Sequence, residues 1–99
     1  MHQDIFPNEV QHWLEQGATI IDVREPDEFN SGHLPGARNV PLSSIPNHTT
    51  SFQTPLIVVC QAGGRSQMAS EYLTQVLSGP VLNLMGGTSG WIRAGLAVE

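Results

Sequence analysis

Two runs of consecutive apolar residues stand out along the chain, Thr19-Ile20-Ile21-Asp22-Val23 and Leu56-Ile57-Val58-Val59-Cys60. Apolar runs of this length without polar alternation predict strands buried on both faces. A third strand is predicted from Val81 to Leu84, after the Gly79-Pro80 break, with shorter strand candidates near Ile5 and over Ala37 to Val40. The period changes between Ser66 and Leu77. There Met68, Ala69, Tyr72, Leu73, Val76 and Leu77 are apolar, while Gln67, Ser70, Glu71, Thr74 and Gln75 are polar. This pattern predicts the clearest helix, with its apolar stripe turned to the core. Val10, Trp13 and Leu14 follow Pro7 at helical spacing up to Gly17, although Phe6 in the capping position has no oxygen for the first amides. Pro26 opens a helical turn through Phe29 that stops at Gly32, and Gly86 to Gly95 suits a short helix around Trp91 and Ile92. The stretch from Ser43 to Pro55 offers only Ile45 and Phe52 as large apolar anchors and predicts a loop with at most one helical turn. Strands alternating with helices predict an α/β fold, with a central, mostly parallel five-stranded sheet flanked by helices on both faces.

Length limits this to one domain, residues 1–99, because 99 residues leave no room for a second core. Hydrophobic residues make up 39% and charged residues 13%, so the chain has apolar material enough to fold. Nine acidic residues face four arginines and no lysine, a net charge of -5 that argues against nucleic acid or an anionic membrane as partner. No apolar run reaches the roughly 20 residues of a spanning helix, and the start MHQDIF lacks the regions of a signal peptide. A cytoplasmic location is the expectation. Cys60 is the single cysteine, so neither an intrachain disulfide nor a cysteine metal cluster can form within one chain.

The chemistry concentrates after the second apolar run, where Cys60-Gln61-Ala62-Gly63-Gly64-Arg65-Ser66 leads from strand end into the best helix. In open α/β sheets the carboxyl end of a strand is where ligands bind. Two adjacent glycines let the backbone curl with its N–H groups inward, and the helix that follows adds unpaired amides and a partial positive charge. Such a setting brings a thiol from about 8.5 into the range of roughly 3.5–7.5, where thiolate dominates at neutral pH. A lone cysteine at the end of an apolar strand is ordinarily a core residue. The Gly-Gly-Arg sequel argues for a nucleophile instead, because a structural cysteine needs no donor-rich turn after it. The planar guanidinium of Arg65 would hold a dianion near the sulfur.

The chain resembles the rhodanese family of sulfurtransferases in its single-domain form. The resemblance runs through Ile21-Asp22-Val23-Arg24-Glu25, Glu28-Phe29, Gly32 to Pro41 (GHLPGARNVP), Val59-Cys60, Gly63, Arg65-Ser66, Gly86-Gly87, Trp91 and Ala94-Gly95-Leu96. It implies that Cys60 takes a sulfane sulfur from a small anion such as thiosulfate, and passes it as a persulfide to cyanide, a low-molecular-weight thiol or a protein. Gln61, Ala62, Gly63, Gly64, Arg65 and Ser66 would bind the donor, and no cofactor or metal is implied. Two other readings stay open: a non-enzymatic persulfide carrier or regulatory module, and a cysteine-dependent phosphatase or arsenate reductase. The phosphatase loop is one residue longer than the four here, Gln61 to Gly64, as wrapping a phosphate requires. The resemblance is thinnest from Ser43 to Pro55.

Remaining polar residues read as structural. Asp22 is a lone carboxylate at a strand end, and Arg24 and Arg38 are expected to tie loops to Asp22, Glu25 or Glu28. His33 lies in a Gly-His-Leu-Pro-Gly turn and is expected to make a turn-stabilising hydrogen bond, while His2, His12 and His48 show no metal spacing. Trp13, Trp91, Phe29 and Tyr72 are expected to pack in the core.

Overall fold

A computed structural model describes all residues, 1–99. In chain order the elements are β1 (Gln3–Ile5), α1 (Val10–Glu15), β2 (Thr19–Asp22), α2 (Pro26–Asn30), β3 (Arg38–Asn39), β4 (Leu56–Val59), α3 (Gly64–Val76), β5 (Val81–Leu84) and α4 (Gly87–Arg93). The strands form one sheet in the order β1-β5-β4-β2-β3, and every pairing is parallel. The apolar runs of β2 and β4 lie inside the sheet, as strands covered on both faces must. No helix is long and apolar enough to cross a membrane.

Period-2 alternation divides the core between the two faces. On one face Ile21, Val23, Leu56, Val58, Cys60 and Val81 pack against Ala69 and Leu73 of α3 and against Ile45 and Phe52. On the other, Ile20, Ile57, Val59, Leu82 and Leu84 pack against Val10 of α1, with Trp13 and Trp91 half-buried beside them. Helices therefore cover both faces. Short 3₁₀ turns fill Leu42–Asn47 and Thr49–Ser51, and they carry the two predicted anchors, Ile45 and Phe52, into the core. At the first helix no side-chain oxygen caps the first amides; Glu9 Oε2 instead accepts the N–H of Phe6 itself at 2.8 Å, across a 3₁₀ turn over Pro7–Glu9.

The stripe on α3 is narrower than its sequence predicts. Ala69 and Leu73 are buried, whereas Met68, Val76 and Tyr72 are 62%, 49% and 38% exposed, so Tyr72 is a flank residue and not a core residue. Helix α3 lies on one face of the sheet and buries only the row that points at it. Truncating Leu73→Ala is expected to cost about 2–5 kcal/mol, the range for a fully buried leucine. Met68→Ala is expected to stay within about 0.5 kcal/mol. Urea unfolding of both variants reads the contrast, and equal losses would refute this placement of the helix.

Candidate active site

Strand β4 ends the central run of the sheet and delivers Cys60 at its carboxyl edge, where the chain turns at once toward α3. Gly63 takes φ +119°, a left-handed conformation that a side chain would strain, and this points its N–H at Cys60 Sγ over 3.0 Å. Ser66, in the first turn of α3, places Oγ 3.4 Å from the same sulfur. The loop is held from below by the start of α4. Thr88 N–H donates to the Cys60 carbonyl at 2.8 Å and Ser89 N–H to the Gln61 carbonyl at 3.0 Å. Gly87 permits this approach, since a Cβ there would run into the Cys60 and Gln61 carbonyls.

Burial pushes the Cys60 thiol up, but it is outweighed by hydrogen bonds from the Ser66 side chain and the backbone of Ser66, Gly63 and Ala62. The thiol therefore ionises below its ordinary value. The residue is nonetheless buried, with Cys60 only 1% exposed. Its sulfur sits on the floor of the loop, with the Gly63 N–H 3.0 Å away.

The six residues that follow Cys60 divide into two groups. Ala62, Gly63 and Ser66 direct hydrogen-bonding groups at the sulfur, and Gly64 begins α3. The side chains of Gln61 and Arg65 turn elsewhere. Gln61 Oε1 accepts from Arg24 Nη1 at 2.9 Å while its Nε2 donates to Ser89 Oγ at 2.7 Å. Arg65 closes its fork on Glu28, with Nη1 to Oε1 at 2.7 Å and Nη2 to Oε2 at 2.9 Å. This hydrogen-bonded pair, with the Glu25 N–H, lowers the Glu28 carboxyl to about 2, and Glu28 in turn raises the Arg65 guanidinium.

Beneath the loop, Arg24 is buried with Asp22, donating from Nε at 3.0 and 3.1 Å and from Nη2 at 2.8 Å. Asp22 is thus structural, as its sequence position implies. Arg38 pairs with none of the three expected carboxylates: it donates to Ser51 Oγ at 3.2 Å and lies over the Phe52 ring. His33 donates from Nδ1 to the Phe29 carbonyl at 2.9 Å and stacks on the Phe29 ring, the turn role predicted for it. Sequence reasoning passed over Glu28 as the partner of Arg65, Gly87 as a seat for the loop, Ser89, and Asn83, whose Oδ1 lies 2.6 Å from Ser66 Oγ. A Gly-Gly pair just after a strand was the available signal for the second of these; the others carry none.

A curled, donor-lined loop carrying one cysteine at the end of a central parallel strand defines a class of α/β proteins built around a thiolate. The chain belongs to the rhodanese-like domain family, whose model matches residues 6–94. It is 35% identical over 91 residues to thiosulfate sulfurtransferase GlpE of Pseudomonas aeruginosa, covering 90% of this chain and 83% of that protein. It is also 41% identical over 76 residues to the uncharacterized protein YqhL of Bacillus subtilis, covering 75% of this chain and 60% of that one. Among solved structures, a rhodanese-related protein from Thermoplasma volcanium superposes with a TM-score of 0.87 at 28% identity, covering 99% of this chain and 98% of that one.

The Glu28–Arg65 pair makes a pH prediction. A carboxyl lowered from 4.5 to about 2 by folding contributes stability that is complete above pH 4.5 and lost as pH falls toward about 2. Glu28→Gln removes that contribution, so its urea midpoint should fall less steeply across this window than that of the parent. Parallel pH curves for the two proteins would contradict the assignment.

Proposed function

We propose that the protein is a sulfurtransferase that carries sulfur as a persulfide on Cys60. The observation that carries this reading is the Gly63 N–H on Sγ, 3.0 Å away, in a loop that also turns Ala62 and Ser66 to the sulfur. With thiosulfate as donor, the Cys60 thiolate attacks the outer sulfur. A new S–S bond forms, the bond from that sulfur to the sulfonate sulfur breaks, and sulfite leaves with the electron pair. The negative charge moves to the terminal sulfur of the persulfide, where fixed amide dipoles stabilise it without reorganising. A nucleophilic acceptor such as cyanide then takes that sulfur, forming thiocyanate and restoring the thiolate. With a single cysteine in the chain, the persulfide has no internal thiol to resolve it and waits for this acceptor.

The relatives named thiosulfate sulfurtransferase support this donor. The loop argues against a phosphatase, since it has four residues between Cys60 and Arg65 and the Arg65 fork is engaged by Glu28. The burial of Cys60 favours a second reading, a carrier that holds sulfur and turns over slowly.

Incubation with thiosulfate is expected to add about 32 Da to the intact mass, one sulfur atom that reductant removes. Cys60→Ala should gain nothing, and an unchanged parent mass would count against this donor. Thiocyanate production with cyanide separates the enzyme from the carrier, which loads without turning over. Arg65→Lys breaks the two-point grip on Glu28. By loosening the start of α3 beside the cysteine loop it should slow loading about tenfold, equivalent to about 1.4 kcal/mol; equal loading rates would remove the Arg65–Glu28 pair from the mechanism.

A further inference from the structure

Asn83 lies in β5 with no solvent exposure, on the sheet face that Val81 presents to α3. A buried carboxamide has to be hydrogen-bonded, and here its partners determine which way round it sits. Nδ2 is 3.1 Å from Oδ1 of Asp4, its register partner on β1, and 3.7 Å from Met85 Sδ; Oδ1 is 2.6 Å from Ser66 Oγ. A carboxylate only accepts, so the amide nitrogen faces Asp4 and the amide oxygen faces Ser66. That oxygen also only accepts, so the one hydroxyl proton of Ser66 lies on Asn83 at the shortest of its contacts. The Gly63 carbonyl at 3.1 Å and Cys60 Sγ at 3.4 Å are the longer ones.

The protonation state of the sulfur therefore matters to a strand residue that never touches it. A Cys60 thiol donates to a free lone pair of Ser66 while Ser66 donates to Asn83, and every group is satisfied. A thiolate has no proton to give. Ser66 can then stabilise it only by turning its hydroxyl from Asn83 to the sulfur, which leaves a buried amide oxygen unpaired.

We propose that Asn83, oriented by Asp4, is a positioning residue that competes with the Cys60 sulfur for the Ser66 hydroxyl proton. Its functional meaning rests on the persulfide reading above. In a persulfide the inner sulfur is bonded to Cβ and to the outer sulfur and carries neither proton nor charge, so Ser66 returns to Asn83. The competition disfavours the free thiolate, leaves the loaded form untouched, and so tilts the protein toward holding sulfur.

The test is the ultraviolet absorbance of the thiolate followed against pH. Asn83→Leu removes the acceptor while keeping the same branched skeleton of heavy atoms, and the ionisation midpoint of Cys60 should fall by about half a unit to one unit, the size of one hydrogen bond. An unchanged or raised midpoint would overturn the proposal. In a Ser66→Ala background the same substitution should shift nothing. An equal shift in both backgrounds would show that Asn83 acts by another route. The charged groups around the site are Arg65 of α3, Glu28 of α2, Asp22 of β2 with Arg24 beyond it, Arg93 of α4, and Asp4 with His2 on the β1 side. None is replaced in these variants, but Asp4 loses its Asn83 partner; a shift that came from Asp4 would persist in the Ser66→Ala background, whereas one carried by the Ser66 hydroxyl vanishes there. Should Asn83→Leu fail to fold, Asn83→Val, a β-branched side chain suited to a strand, is expected to give the same fall and is read by the same criteria. The titration uses no sulfur donor, so its failure is distinct from a failure to load thiosulfate.

Discussion

A buried guanidinium has to be neutralised and all its donors met, and at the carboxyl edge of this sheet Arg24 imposes that requirement on three separate segments. Asp22 at the end of β2 takes Nε and Nη2, the Gly32 carbonyl beyond α2 takes Nη2, and Gln61 in the cysteine loop takes Nη1. Asn39 of β3 adds a fourth tie by donating to the Asp22 and Arg24 carbonyls at 3.0 and 2.9 Å. Removing one partner of such a buried pair costs about 3–5 kcal/mol. Against a total stability of about 5–15 kcal/mol, that makes the relative placement of strand, turn and loop close to obligatory.

With the rim of the site fixed in this way, the loop itself is held between two helix starts. Gly63 is the left-handed residue immediately before α3, and Gly86 at φ +80° has the same role before α4. Helix α3 supplies Ser66 to the sulfur, while α4 supplies the amides of Thr88 and Ser89 to the carbonyls of Cys60 and Gln61. The N–H groups of the loop are thereby free to turn inward, because its carbonyls are already engaged on the other side. A chain of net charge -5 can hold an anionic sulfur for this reason: fixed dipoles at about hydrogen-bond distance outweigh distant carboxylates screened by water.

The central elements were legible because their signal is local. Continuous β-branched runs identify β2 and β4, and a glycine-rich turn between apolar strand and amphipathic helix identifies the cysteine loop. Two kinds of feature were not legible. The width of the buried stripe on α3 depends on what lies beside the helix, so Met68, Tyr72 and Val76 look like core in sequence and are exposed in the fold. Side-chain pairings depend on topology: Glu28 meets Arg65 across 37 positions, and Asn83 meets Ser66 across 17. Nine carboxylates for four arginines give no local reason to choose among partners. The turns over Leu42–Ser51 escape for a third reason, since 3₁₀ pieces this short have no sustained period, although the anchors Ile45 and Phe52 are legible as the only large apolar residues between Ser43 and Pro55.

Burial and ionisation of one sulfur pull in opposite directions, and the way they are reconciled accounts for the density of donors around it. Desolvation alone would keep Cys60 protonated and inert. Exposure would ionise it, but a thiolate open to solvent is the form oxidants attack, and a chain without a second cysteine cannot rescue a sulfenic acid as an internal disulfide. Placing the sulfur at 1% exposure removes the oxidant's access, and hydrogen bonds from Ser66, Gly63 and Ala62 restore the ionisation that burial takes away. The density of hydrogen-bond donors around one sulfur is therefore the direct consequence of burying a cysteine that has to ionise.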